Sequence, residues 1–310
     1  MHTLLVSALN KACSTVRAVS SPILHSYERV WSVVVTLFLF TKSDLKTILG
    51  PITIFAIASA PLQSLSKLLW SMLWIWIHLL HFDVSNQTIC PEEDRINKAF
   101  RPIPAGRITL YQAKLLRWSL IPICFGISVL SSLQCLYASM SLVLFTTLHN
   151  ECGGGSGHWI IRNTLNAVGF ASFEWGATLI AGQDPTRIDK VALSGILLTM
   201  CIIGTTVHAQ DFKDVNGDKE AGRHTLPMLF PEGSRFTLMI LLAVYSFMLP
   251  VVWSLDIATA SSFGILGVLT GYRFMFKRSC RADQVSYYLY NIWAAAAISM
   301  PGYWNLVASR

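Results

Sequence analysis

The stretch that decides the fold is Asn86-Gln-Thr-Ile-Cys-Pro-Glu-Glu-Asp94, which runs directly into Arg95-Ile-Asn-Lys-Ala-Phe-Arg-Pro-Ile-Pro-Ala-Gly-Arg107. It places three acidic and four basic side chains at the end of a long apolar segment. A second polar stretch, from Asp211 to Pro227, follows another apolar segment that ends near His208. Charged side chains at the edge of a membrane segment are costly unless they pair or bind something. The two stretches therefore predict one shared polar site, and their acids suggest a metal.

The rest of the chain is apolar enough to put both stretches at a membrane. Hydrophobic residues make up 53% of the chain, and only 13% of its residues are charged. Soluble proteins carry roughly 25% charged residues. The net charge of +7 does not indicate nucleic acid, because the basic residues lie in short loops between apolar runs, as orientation signals do. The seven cysteines form no CxxC pair, so neither a disulfide framework nor a thiolate metal site is expected.

Nine apolar runs are long enough to cross a membrane, which predicts an all-α, polytopic helical bundle. The runs cover residues 46–64, 67–83, 109–131, 133–149, 159–181, 190–208, 236–254, 258–276 and 285–305. Residues 1–45 are expected to form an amino-terminal cytosolic or interfacial segment with a short interfacial helix over 30–40. Residues 46–310 are expected to form a single transmembrane domain.

Basic residues are concentrated before the first span and after the second, sixth and eighth spans. With nine spans these loops all lie on one side of the membrane, and the positive-inside rule makes that side cytosolic. Both polar stretches then face the cytosol together. We therefore expect a multi-pass protein, of the endoplasmic reticulum, with its site on the cytosolic side.

The spacing of the polar residues indicates the chemistry of this site. Asn86, Cys90 and Asp94 recur at helical spacing, and so do Asp211, Asp214 and Asp218. Hard oxygen ligands from two helices suit Mg²⁺, which is usually held by a carboxylate or two together with substrate phosphate oxygens. Basic side chains that would bind the remaining diphosphate oxygens are Lys98, Arg101, Arg162, Lys213 and Arg223. The plain alternative is a pair of solvated juxtamembrane loops whose acids and bases neutralise one another.

The residues of the two polar stretches resemble motifs of the UbiA superfamily of intramembrane prenyltransferases. Residues 86–106 align without a gap to its first motif, Asn-Asp-x-x-Asp-x-x-x-Asp followed by Ile-Asn-Lys-Pro-x-Arg-Pro-Ile-Pro-Ser-Gly. Its second motif is similar to Asp214, Asp218, Gly222 and the run Thr225-Leu-Pro227. Arg162-Asn-Thr164 is similar to the family's Lys-Arg-x-Thr.

The resemblance implies nine helices around a central cavity, Mg²⁺ held between the two motifs, and ionisation of an isoprenoid diphosphate. Carried over by position, the metal-linked residues are Asn86, Asp94, Asp214 and Asp218, with Asp211 close by. The sequence departs from the family at Gln87 and Cys90, which stand where the first motif has two aspartates. Glu92 or Glu93 is a possible replacement for one of them. The number of metal ions stays open.

The altered first motif resembles a fungal branch of this superfamily in which terpene cyclisation replaces transfer to an acceptor. The expected function is therefore a Mg²⁺-dependent terpene cyclase acting on geranylgeranyl or farnesyl diphosphate. The alternative is an intermolecular prenyltransferase, and a transporter with an acidic ion site comes third. The expected partners are the isoprenoid diphosphate and the lipid bilayer, with neither nucleic acid nor an obligate protein partner.

A cyclase stabilises cations with aromatic faces in a dry, shaped cavity. The candidate rings are Phe170, Phe173, Trp175, Tyr245, Tyr272, Tyr287 and Trp293. Glu174 is a carboxylate inside the fifth span, where it is expected to face protein or water. It is a candidate to end the cation cascade as a base, and a salt bridge to another span is the alternative.

Overall fold

The structure, a computed structural model, describes residues 26–60, 62–89, 91–220 and 222–309. Cys90 lies outside these ranges, and so do residues 1–25; the side chain of Glu93 is likewise not described. Every element of regular secondary structure in the described ranges, apart from one isolated bridge, is a helix. The helices are α1 (26–41), α2 (Gly50–Ser59), α3 (Leu65–Ile89), α4 (Pro91–Asn97), α5 (Leu110–Val129), α6 (Leu133–His149), α7 (Trp159–Ala181), α8 (Lys190–Thr206), α9 (Val215–Glu220), α10 (Leu226–Leu229), α11 (Pro231–Val252), α12 (Ile257–Phe276) and α13 (Cys280–Tyr303). The π-helical turn Leu45–Leu49 leads into α2, and the 3₁₀ turn Val207–Gln210 extends α8.

Several long helices begin at a polar side chain that caps free backbone N–H groups. The side chain of Thr109 accepts a hydrogen bond from the Gln112 amide, and the Gln112 side chain accepts one from the Thr109 amide, which makes a capping box at α5. A capping side chain also begins five further helices, at Ser132, His158, Asp189, Asp256 and Ser279. Helix starts are therefore written into the sequence at the ends of the apolar runs.

Consecutive helices pack side by side, and α13 closes the bundle by packing on α2. The two largest apolar cores each contain a fully buried tryptophan, Trp74 on α3 and Trp293 on α13. The indole N–H of Trp74 donates to Ser128, and that of Trp293 donates to Ser246, each over 2.8 Å. Gly176 on α7 leaves room for the first ring, because a Cβ there would lie 2.2 Å from Trp74. Each of these two cores thus contains a buried indole whose N–H group is hydrogen-bonded.

Three described helices are long and apolar enough to cross a membrane: Leu65–Ile89, Lys190–Gln210 and Pro231–Val252. The other predicted spans coincide with helices that are shorter or less apolar. Leu45–Ser59 and Leu133–His149 are apolar but fall below 18 residues, and α5 and α7 carry buried charged side chains. The all-helical fold is confirmed, whereas the count of nine spans is not.

The first described helix is longer than the helix predicted over residues 30–40. Helix α1 extends over residues 26–41, and its carboxyl end belongs to the bundle. Phe40 is completely buried in a cluster with side chains of α3 and α5. The Gln87 side chain donates a hydrogen bond to the Phe40 carbonyl over 2.9 Å, and Arg107 donates to the Thr36 hydroxyl over 3.1 Å. Only the first part of α1 is largely exposed, with apolar side chains such as Trp31 on its surface.

Candidate active site

A cavity of about 510 Å³ opens where the two polar stretches meet. The helices that line it change from polar to apolar along its length. On α3 the lining passes from Asn86 to Leu79, and on α7 it passes from Arg162 to Phe173. The same change occurs from Asp211 to Ile203 at α8, and on α13 from Gln284 to Ile298. The cavity therefore has a charged end and an apolar end, the arrangement that an amphiphilic ligand requires.

The first polar stretch contributes Asn86 and Asp94 to the charged end. Asp94 is almost completely buried, and Arg101 donates to both of its carboxylate oxygens, over 2.6 and 2.9 Å. The side chain of Gln87 points the other way, toward α1. Glu92 is 77% exposed and pairs with Arg95, so it does not replace a missing carboxylate in the cavity.

A partly buried hydrogen-bond network fixes the side chain of Asn86. Its amide donates to Asn150 over 3.2 Å, and Asn150 in turn donates to Ser85 over 3.0 Å. Ser85 donates to Glu151, which also accepts from the buried Arg117, both over 2.8 Å. Sequence analysis missed this network, because its members lie on different helices and have no common motif.

The second polar stretch contributes three aspartates to the same end of the cavity. Asp211 pairs with Arg162 over 2.9 Å, and Asp218 pairs with Arg223 over 3.0 Å. Asp214 pairs with the adjacent Lys213. Burial raises the pKa of Asp211 to about 6, although the neighbouring Arg162 lowers this pKa in part. A cation bound beside Asp211 would therefore favour the ionised form of this side chain.

All five predicted diphosphate-binding side chains line the cavity: Lys98, Arg101, Arg162, Lys213 and Arg223. Lys98 lies within electrostatic range of Asp44, Asp94 and Asp214. Together with Lys46, six described cations line the cavity, facing six described acids. This balance means that a bare diphosphate would add uncompensated negative charge, whereas a diphosphate carrying divalent cations would add little.

The acids fit a divalent metal only in combination with a ligand. Among the residues that the structure describes, no three His, Cys, Asp or Glu side chains form a ready metal cage. The Oδ2 atom of Asp218 is nevertheless buried and lacks a hydrogen-bond partner in the described chain. Mg²⁺ typically takes one or two carboxylates and fills its shell with waters and phosphate oxygens. The oxygen donors present therefore suit Mg²⁺ bound together with a diphosphate.

Of the rings predicted to face the cavity, Phe170, Phe173 and Tyr287 line it. The other four lie elsewhere, contrary to expectation. Tyr272 is 51% exposed on α12, and Tyr245 hydrogen-bonds to Thr205 on α8. Trp175 and Trp293 pack in the apolar cores. Rings that the sequence analysis did not select also line the cavity: Phe82, Phe145, Tyr288 and Tyr290.

Glu174 is completely buried but is not among the side chains that line the cavity. It lies within interaction distance of Thr199 on α8. No ion pair to another helix is formed by Glu174 in the described part of the chain. This candidate base therefore does not reach the cavity. The alternative salt bridge is not formed with any described residue either.

Two aspartates that the sequence analysis passed over also line the charged end, Asp44 and Asp83. Asp83 precedes Asn86 by three residues on α3, a spacing that puts both side chains on one helix face. That spacing was the available signal. Asp44 lies in the turn before Leu45–Leu49, and nothing in the sequence around it indicates a cavity.

A fold of this kind, with two acidic stretches facing each other across one cavity, defines a class of membrane enzyme. Residues 47–294 match the model of the UbiA prenyltransferase family. Because the match covers most of the chain, the protein belongs to this family of intramembrane enzymes.

Three of the proteins that the chain resembles are fungal. The chain is 32% identical to the fumagillin beta-trans-bergamotene synthase of Aspergillus fumigatus, over 86% of this chain and 91% of that protein. It is 30% identical to the diterpene cyclase eriG of Hericium erinaceus, over 82% of this chain and 83% of the relative. The polyprenyl transferase eriF of the same fungus is 27% identical, over 82% and 88%. The family thus contains relatives with cyclase names and relatives with transferase names.

Solved structures of the family share the fold. A digeranylgeranylglyceryl phosphate synthase superposes with a TM-score of 0.65 at 20% identity, over 88% of this chain and 99% of that one. A UbiA homologue from Archaeoglobus fulgidus, bound to GPP and Mg²⁺, superposes with a TM-score of 0.62 at 15% identity, over 85% and 99%. At these identities the likeness establishes the arrangement of helices.

Proposed function

We propose that the protein is a Mg²⁺-dependent membrane terpene cyclase. It ionises a linear isoprenoid diphosphate, geranylgeranyl or farnesyl diphosphate, and cyclises the carbocation to a hydrocarbon. The observation that carries the proposal is the single cavity with a charge-balanced end and an aromatic, apolar end. The synthase and cyclase names of two fungal relatives, 32% and 30% identical over more than four fifths of the chain, support this function.

The diphosphate binds at the charged end of the cavity. Lys98, Arg162 and Lys213 donate hydrogen bonds to its oxygens, as cationic donors do where negative charge develops. Bound Mg²⁺ would neutralise the leaving group, and the residues proposed to hold it are Asn86, Asp94, Asp211, Asp214 and Asp218. The family structure solved with GPP and Mg²⁺ supports this choice of ion.

Ionisation breaks the bond between the allylic carbon and the diphosphate oxygen, and the oxygen keeps the electron pair. The apolar end then folds the chain so that its own double bonds attack the cation. Phe170 and Phe173 present faces that stabilise positive charge by roughly 0.5 to 2 kcal/mol each. Since the described acids in the lining all lie at the charged end, we assign the final proton to the released diphosphate.

The test is a reaction without an acceptor. Purified protein receives Mg²⁺ and either farnesyl or geranylgeranyl diphosphate alone, and both pyrophosphate and organic products are measured. Release of pyrophosphate with a cyclic hydrocarbon, detected by gas chromatography with mass spectrometry, is the expected result. Pyrophosphate release that requires an added aromatic acceptor, with that acceptor in the product, would establish the alternative prenyltransferase, which the relative eriF represents.

We further propose that the chain crosses the membrane nine times, with residues 1–45 preceding the first of these spans and the site facing the cytosol from the endoplasmic reticulum. The thiol of Cys280 is exposed and contacts the Lys213 carbonyl over 3.3 Å, so it reports the side on which the cavity opens. Gln183 lies in the loop between α7 and α8. In oriented membranes an impermeant thiol reagent should reach Cys280 and an introduced Gln183→Cys from opposite sides. Labelling of both from one side contradicts this topology.

A further inference from the structure

Asp83 is a buried acid for which the bundle provides no evident structural role. Its side chain lines the charged end of the cavity and is only 2% exposed. The Oδ2 atom has no hydrogen-bond partner in the described chain. Asp94, Asp211 and Asp218 each have an arginine within 3.0 Å, whereas no described cation forms an ion pair with Asp83. A buried carboxylate oxygen without a partner is costly to the fold, which points to a ligand that completes it.

A second carboxylate lies next to it. The side chain of Asp44 is within hydrogen-bonding reach of Asp83, and it accepts a hydrogen bond from Thr47 over 3.2 Å. Two carboxylates in contact repel each other unless a proton or a cation lies between them. The nearby basic groups, Lys98 and Arg101, act on Asp83 over longer distances than an ion pair.

This pair belongs to the same cluster as the two motifs. Lys98 interacts electrostatically with Asp44, and also with Asp94 and Asp214, which come from the first and the second motif. The first motif of this chain lacks two aspartates, at Gln87 and Cys90.

We propose that Asp83, with Asp44 beside it, is a ligand for the divalent metal in the diphosphate-bound site. It adds a carboxylate to a site whose first motif has Gln87 and Cys90 in place of two aspartates. The assignment rests on the proposed function, because it requires a diphosphate whose oxygens fill the remaining coordination positions.

The test measures metal binding rather than turnover. Mn²⁺, in the presence of inorganic pyrophosphate, is titrated into purified protein in detergent, and free Mn²⁺ is followed by electron paramagnetic resonance. Asp83→Asn keeps the shape of the side chain, and we expect it to weaken Mn²⁺ binding about tenfold or more, the scale on which metal sites respond to lost partners. Asp44→Asn should also weaken binding, by a smaller factor. Glu92→Gln is the matched control, because Glu92 is an exposed acid beside the same motif, and its binding should equal that of the wild type.

Each outcome of the titration supports or overturns the proposal. Asp83→Asn protein that binds Mn²⁺ as the wild type does overturns the proposal while leaving the proposed function intact. Where Asp83→Asn does not yield folded protein, judged by gel filtration and thermal unfolding, Asp44→Asn carries the test, and unchanged binding in that variant overturns the proposal. Wild-type protein that binds no Mn²⁺ even with pyrophosphate contradicts the proposed function, and the metal assignment falls with it.

Discussion

The two polar stretches face one cavity, but they are held in different ways. In the first stretch, Gln87 anchors α1, Asn86 is hydrogen-bonded within a buried network, and Asp94 is locked to Arg101. In the second stretch, Asp211 and Asp218 also pair with arginines, but Asp214 is 55% exposed and one oxygen of Asp218 has no partner in the described chain. The difference indicates that the first stretch is partly scaffold, whereas the second keeps carboxylate oxygens of Asp214 and Asp218 available for a ligand.

The largest effect is expected in the second stretch. Asp214→Ala and Asp218→Ala should each reduce the rate of pyrophosphate release by about 10³-fold, because preorganised charge at a leaving group contributes on this scale. The melting temperature of Asp214→Ala should remain close to that of the wild type, since its side chain is largely exposed. Glu92→Ala serves as the control for removing an acid outside the cavity. Nearly full activity in Asp218→Ala would make the second stretch a solvated loop.

Asp94→Ala should be comparably inactive but also unstable, which separates the two stretches. The substitution leaves Arg101 buried without its carboxylate, which costs about 3 kcal/mol or more in the free energy of unfolding. Denaturant unfolding in detergent measures this loss. The double variant Asp94→Ala/Arg101→Ala should recover part of the stability and none of the activity. A single variant as stable as the wild type would show that the pair does not support the fold.

A smaller effect is expected for Asn150→Ala, which removes the amide that positions Asn86. Turnover should fall about tenfold, with a higher Mg²⁺ requirement, as for other residues that orient metal ligands. Asn305→Ala is the control, since Asn305 also uses its amide to bond between elements, to the Ala58 carbonyl. Equal losses in both variants would mean that Asn150 acts on stability alone.

The smallest effect on activity is expected for Gln87→Asp, which restores the family residue. Because Gln87 faces α1, the new carboxylate should not increase Mg²⁺ affinity, and activity should stay within about twofold, while the free energy of unfolding falls by about 2 kcal/mol through the lost donor. Titration of activity with Mg²⁺ and denaturant unfolding provide both values. A several-fold lower Mg²⁺ requirement would place position 87 at the metal and break the comparison between the stretches.

Much of this architecture was predictable from the sequence. Apolar runs predicted where most of the long helices lie, and the two stretches predicted one shared polar site with acids and bases. All of the residues predicted to bind metal and all of those predicted to bind diphosphate line that cavity, although their roles remain predictions. Motif residues are predictable because helical spacing fixes which of them share a face.

The rest depends on contacts between helices that lie far apart in the sequence. Most faces of a membrane helix are apolar, so periodicity does not reveal which rings turn toward a cavity. Tyr245 and Tyr272 were predicted to line the cavity, but the first is buried elsewhere and the second is exposed. Asp44 and Asp83 are single acids among apolar neighbours, and only the packing of the Leu45–Leu49 turn against α3 brings them together. The count of membrane spans meets the same limit, because helices that pack in a protein interior can contain charges such as Arg117.

The hydrogen bond from Gln87 to the Phe40 carbonyl also has a consequence for building chimeric enzymes. An aspartate at position 87 would turn a carboxylate toward that carbonyl, so two acceptors would meet without a proton donor. Grafts that exchange residues 26–41 between family members should therefore carry position 87 with them. Helix α1 and the side chain of Gln87 should be exchanged together, although 47 positions separate Phe40 from Gln87 in the chain.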